Sequence, residues 1–261
     1  MTATTTTATT TSVVPQFLAQ YRKDAYVKGW ADLWDRGGDY VDWDKGCPNP
    51  ALEDTLLQQR SILGGPLTLD EQGRRHRKKA LVPGCGSGLD VLLLASFGYD
   101  AYGLEYSHSA VQTCKAQETR SRARGEYSVR DEEVGGGSVT FMQGDFFDDE
   151  WLEGIGLGRG GYDVIYDHSF FCALDPSLRP QWGQRKAQLL APTGRLICLE
   201  FPRHQDPSEM GPPYTALSED YIEHLSRPGL KRVAYWRPER THANGFDAQG
   251  VIQDRVSIWC W

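Results

Sequence analysis

The run Leu81-Val82-Pro83-Gly84-Cys85-Gly86-Ser87-Gly88-Leu89-Asp90 sets three glycines in ten residues directly behind an apolar stretch. Each glycine carries an entropic cost, so the run reads either as a tight turn or as a place where a bulky polar group approaches the backbone. Between a strand and a helix, such a loop turns backbone N–H groups and a helix N-terminus toward a ligand. A plain tight turn is the alternative. Glu105 follows about twenty residues after Gly84, at the end of the next apolar segment, where an acid grips the two hydroxyls of a ribose. Together the glycines and Glu105 point to a nucleoside-containing cofactor. Cys85, inside the turn, has no histidine or acid beside it in sequence and reads as a small packing residue. No His/Cys cluster has metal-ligand spacing, so no metal is expected.

Those residues need strands to end where they sit. Ala80–Val82, Ala101–Leu104, Val139–Met142, Tyr162–Tyr166 and Arg195–Phe201 are apolar runs of strand length. Helical stretches separate them at Asp90–Phe97, Ser109–Thr119 and Leu178–Leu190. Alternation of this kind predicts an α/β fold with a mostly parallel central sheet and helices on both faces. Lys231–Trp236 and Gln253–Trp259 have little helix between them and predict an antiparallel hairpin at one sheet edge. Earlier in the chain, a helix over Phe17–Leu33 should end at Gly37-Gly38, and Asn49-Pro50 should start another through about Arg60. Gly64–Lys79 reads as a polar loop with a solvated basic run, and 120–137 as a long exposed loop.

The 261 residues carry a net charge of −7, which argues against a nucleic-acid partner. No apolar run approaches the length of a membrane span. Six scattered cysteines without a CxxC pair, and no secretory signal, suggest reduced thiols and a cytoplasmic, monomeric protein. Residues 1–15 open with a Thr-rich, low-complexity stretch that reads as a disordered tail, leaving one domain over 16–261.

The nicotinamide fingerprint G-x-G-x-x-G/A fails at Leu89, where a small residue is needed for close helix–strand contact. The spacing resembles instead the first motif of class I S-adenosylmethionine (SAM) methyltransferases, a Rossmann-like fold. In that fold an acid after the third strand accepts from the adenine amino group, and the next backbone N–H pairs with the ring. Asp145 and Phe146, in Gln143-Gly144-Asp145-Phe146-Phe147, fit those places; a turn-capping aspartate is the alternative.

Four segments narrow the likeness: Trp30-Ala31-Asp32-Leu33-Trp34 with Trp43-Asp44-Lys45-Gly46, the glycine run, Tyr162-Asp163-Val164-Ile165-Tyr166-Asp167-His168-Ser169-Phe170-Phe171-Cys172-Ala173-Leu174, and Gly211-Pro212-Pro213-Tyr214. In this order they resemble the thiopurine S-methyltransferase family, and most nearly its plant and fungal thiol/halide branch, over roughly residues 26–260. The resemblance implies that Trp30, Trp34 and Trp43 close over SAM from an N-terminal helical lid at about 16–60. Three core aromatics are the alternative. It implies that Gly84, Gly86, Glu105, Asp145 and Phe146 hold the cofactor. His168 would face the methionine end of SAM and the acceptor, at a position held by arginine or tyrosine in the two branches. Tyr214 would be a substrate-side aromatic.

The implied reaction moves the SAM methyl group to a soft nucleophile held in line with it, leaving S-adenosylhomocysteine (SAH). Only a few per cent of a free thiol is ionised at neutral pH, so a neutral His168 is expected to take its proton. Tyr214 and Asp167 could orient that base or the acceptor. A structural histidine, and a turn-stabilising role for Asp167, are the alternatives. The expected acceptor is a small thiol or hydrosulfide, with detoxification as the expected setting and halide as the near alternative. Readings of another class are a nicotinamide-dependent oxidoreductase and an inactive SAM-binding regulator.

Overall fold

Apolar runs bracketed by helices become parallel strands because both of their faces are covered. A computed structural model describes residues 13–21, 25–37, 43–70, 72–206 and 208–261. In chain order the N-terminal elements are α1 (Val14–Leu18), α2 (Tyr26–Arg36), α3 (Pro50–Gln58), α4 (Arg60–Leu63), β1 (Leu67–Leu69) and β2 (Arg75–Arg77). The first half of the main sheet follows as β3 (Lys79–Pro83), α5 (Leu89–Ser96), β4 (Asp100–Glu105), α6 (His108–Ala123) and β5 (Val139–Gln143). The second half is α7 (Glu150–Glu153), β6 (Tyr162–His168), α8 (Phe170–Ala173), α9 (Arg179–Leu189) and β7 (Leu190–Glu200). The chain closes with α10 (Ser218–Ser226), β8 (Lys231–Trp236) and β9 (Arg255–Cys260).

The main sheet has seven strands in the order β5-β4-β3-β6-β7-β9-β8. Pairings from β5 across to β7 are parallel, whereas β9 runs antiparallel to both β7 and β8. The chain builds outward from β3 in one direction, then returns beside β3 and builds in the other. The switch point therefore lies between β3 and β6, where open α/β sheets form their ligand crevice. Side chains alternate between two apolar layers. Ala80, Val164 and Tyr166 join one, with Ile197 and Ile258; Leu81, Tyr162 and Ile165 join the other, with Trp182 and Trp259.

Several expectations are corrected. The single N-terminal helix is two, α1 and α2, and Gly37 ends the second in a left-handed conformation with φ 59°. Val14 and Pro15, read as tail, lie in α1, with Val14 buried; the Thr-rich residues 1–12 and Gly38 lie outside the described residues. Asn49 caps α3 as expected, accepting the Ala51 N–H at 3.0 Å. The polar stretch before β3 is a hairpin, β1 with β2, rather than a loop. The stretch expected as a long exposed loop is largely exposed, but α6 runs into it as far as Ala123 and its glycine-rich end is anchored: Arg77 donates to the Val134 and Gly135 carbonyls, and the Gly137 N–H to the Ala95 carbonyl. No helix among the described residues is long and apolar enough to cross a membrane.

Candidate active site

At the carboxyl ends of β3, β4, β5 and β6 lies a cavity of about 350 Å³ with mostly apolar walls. Its floor begins with the glycine turn. Gly84 is left-handed, with φ 58°, and a Cβ there would collide with the Phe170 ring. Gly86 is also left-handed, at φ 59°, and faces open space toward Trp34. The first glycine thus answers to packing, and the second leaves the backbone bare at the cavity wall.

Glu105 ends β4 and is tied to this turn. Its Oε1 accepts the Gly86 N–H at 2.8 Å and its Oε2 the Tyr106 N–H at 3.2 Å. Burial pushes its carboxyl up to about 7, against the pull of those donors. Asp145 follows β5. Its Oδ1 accepts the Phe147 N–H at 2.9 Å, so it does cap its own turn. Its second oxygen has no partner among the described residues, and both Asp145 and Phe146 line the cavity. The Phe146 ring packs edge-on against Phe170, centroids 5.0 Å apart. Cys85 lies 3.9 Å from Cys114, sulfur to sulfur, and that neighbour with burial pushes its thiol well up, as suits a packing residue.

The lid supplies the roof. Trp43 stands edge-on to Trp30 and to Trp34, at 5.3 and 5.7 Å between ring centroids, and all three line the cavity. Beneath them Val14, Phe17, Leu18, Tyr26 and Leu33 form a small core of their own. Tyr26 fastens this core to the end of α8, donating to the Ala173 carbonyl at 2.7 Å. Asp35 accepts from the Ser109 hydroxyl of α6.

His168, the last residue of β6, lines the cavity with its side chain 17% exposed. Its Nδ1 lies 3.7 Å from Asp90 Oδ2, in the first turn of α5. Its ring stacks on His242, at 5.9 Å and 30° between planes.

Two sequence-derived assignments are corrected. Asp167 precedes His168 on a strand, so it points to the opposite face. There its carboxylate takes the Lys186 ammonium at 2.7 Å, the Trp182 indole N–H at 2.9 Å and the Phe171 N–H at 3.1 Å. It orients neither the histidine nor an acceptor. Tyr214 packs into the lid core, where its hydroxyl pairs with Tyr26; Pro212 and Pro213, not Tyr214, line the cavity. Asp90 and His242 were not singled out. Asp90 was visible at the end of the glycine run, one turn of helix from the strand ends. His242 lies in an irregular segment with no periodic signal.

The donor set suits SAM: a carboxylate for a diol, a free aspartate oxygen with a backbone N–H beyond it for adenine, and aromatic faces for a sulfonium. Comparison with known proteins agrees. The family model described as Thiopurine S-methyltransferase (TPMT) matches residues 27–259. The Probable thiol methyltransferase 2 of Arabidopsis thaliana is 33% identical, over 79% of this chain and 75% of its own length. The Thiocyanate methyltransferase 1 of Brassica oleracea is 30% identical, over 85% of this chain and 82% of its own. Among solved structures, a magnesium protoporphyrin IX methyltransferase from Synechocystis with bound SAH superposes at a TM-score of 0.56 and 16% identity. That likeness covers 91% of this chain and 96% of the other, and it speaks for the fold. The nicotinamide reading falls away: the chain belongs to the thiopurine S-methyltransferase family and is a SAM-dependent S-methyltransferase.

Proposed function

We propose that the enzyme methylates a small thiol or hydrosulfide, with His168 taking the proton of a thiol acceptor, a step that the already ionised hydrosulfide does not need. The observation that carries this is a shielded imidazole at the floor of an aromatic-walled cavity. Its Nδ1 is turned to a carboxylate, which leaves Nε2 for an acceptor. SAM, when bound, supplies an electrophilic methyl on a sulfonium. The chain's own residues do the rest. Glu105 and Asp145 anchor the nucleoside, the tryptophans exclude water, and the apolar walls favour a step in which the sulfonium charge disappears.

The same reading makes the protein cytoplasmic and monomeric, with no nucleic-acid partner. Its six cysteines are free thiols, as a reducing compartment keeps them, and its net charge of −7 discourages polyanions. Calorimetric titration of SAH, with turnover on hydrosulfide, thiophenol, a dithiol and iodide, tests the assignment. SAH binding with thiol turnover supports it. Iodide turnover without thiol turnover makes the enzyme a halide methyltransferase, and binding without turnover makes it a regulator. A His168→Ala enzyme that keeps its thiol rate and pH profile removes the base.

A further inference from the structure

The surroundings of His168 carry more than a base. Asp90 faces it from α5, at 3.7 Å. That separation is too long for a direct hydrogen bond. A bridging water, or a small approach of the two side chains, would join them. The other oxygen of Asp90 is buried without a partner, as are the Tyr166 hydroxyl and one oxygen of Asp254 below it. His242 stacks on the second face of the ring. Burial and the neighbouring imidazole of His168 lower the affinity of His242 for a proton, outweighing Asp90 and a hydrogen bond to the Cys47 backbone, which raise it. Lys45 adds positive charge on the His242 side. His168 is thus framed by a carboxylate on one side and an imidazole biased toward neutrality on the other.

We propose that Asp90 and His242 are positioning residues that fix His168 as an Nδ1–H tautomer, and that this arrangement selects acceptors that arrive as neutral, weakly acidic alkyl thiols. The inference rests on the thiol reading above. In the step, the acceptor S–H bond breaks and its proton goes to His168 Nε2. The acceptor sulfur forms a bond to the methyl carbon while the methyl–sulfonium bond breaks, its electron pair staying on the sulfur of SAH. The imidazolium then faces Asp90, which stabilises it, and gives its proton to water when the site opens. A nucleophile that is already an anion gains nothing from the base and meets the Asp90 carboxylate.

The test compares alkyl thiols with acidic aryl thiols that are ionised at the assay pH, in wild type, Asp90→Asn and His242→Gln, with SAH binding read on each sample. In the wild type, kcat/KM for an alkyl thiol should plateau well below the pH at which the thiol itself ionises, near ~8.5. Asp90→Asn should lower alkyl-thiol kcat/KM by about 10²–10⁴-fold, and aryl-thiol kcat/KM by at least about tenfold less. His242→Gln should shift the pH at which the alkyl-thiol plateau begins. Alkyl-thiol rates that follow the thiol's own ionisation in the wild type overturn the proposal. So does an Asp90→Asn enzyme that loses the same factor on both classes. If Asp90→Asn fails to bind SAH, the wild-type pH comparison decides alone. An enzyme that binds SAH and methylates no thiol refutes the thiol reading itself, whereas proportionate losses refute only the selection.

Discussion

With Glu105 as the carboxylate that grips the cofactor's ribose, cofactor binding becomes a proton-linked event. In the free enzyme burial pushes its carboxyl up to about 7, so near pH 6 most molecules hold a proton there. A ribose diol donates two hydrogen bonds to that carboxylate and favours the ionised form. Binding must then expel the proton from the fraction that holds it. With a free-state value of about 7 and a bound-state value well below 6, the apparent Kd for SAH should tighten about tenfold from pH 6 to pH 8 and then level off. Calorimetry in two buffers of unlike ionisation enthalpy should record nearly one proton released at pH 6 and almost none at pH 8. Glu105→Gln should bind more weakly and show neither slope nor release. The linkage has a second face. An acid whose folded-state value is raised stabilises the folded state below its unfolded value, near ~4.3, and that stability is lost as pH rises through about 7. Ligand-free Glu105→Gln should therefore gain stability over wild type at pH 8, by at most about 4 kcal/mol. A wild-type SAH affinity that is flat from pH 6 to 8, or the same slope in Glu105→Gln, refutes the reasoning.

Lys186→Met leaves the fully buried Asp167 carboxylate without its cation; urea denaturation should show a loss of about 3–5 kcal/mol, and Lys186→Met with Asp167→Leu should recover part of it. Trp43→Ala removes the ring that bridges Trp30 and Trp34; SAH affinity by calorimetry should fall about 10- to 100-fold, as expected for losing ~1.4–2.8 kcal/mol of aromatic contact, with the melting temperature of the ligand-free protein changing little.

The parallel strands were legible because each carries a run of apolar residues between turn-forming ones, and that pattern survives whatever the loops do. Glu105 was legible for the same reason: it stands where such a run stops, at a fixed distance from the glycines. The hairpin β1–β2 was not, because Arg75-His76-Arg77 has no apolar alternation and its strands are held by register rather than by a core face. Asp167 was misjudged although the evidence lay in its position. Neighbours on a strand point to opposite faces, so a cavity-facing His168 already implied an Asp167 aimed at the other layer. Its partner Lys186 looks like any exposed lysine of a polar helix. His242 belongs to a loop that only the folded chain carries back to β6.

The bond from the Tyr26 hydroxyl to the Ala173 carbonyl joins residues 147 positions apart, and Asp35 waits on Ser109, 74 positions later. The lid thus leaves the ribosome well before the residues that hold it in place. Contacts of such sequence separation form late, after loop closure has been accomplished elsewhere. During synthesis the sheet can complete itself while α1 and α2 remain undocked, exposing Val14, Phe17 and Leu33, which are buried in the finished fold. A nascent chain stalled before Ala173 would carry α1 and α2 without the carbonyl that Tyr26 binds.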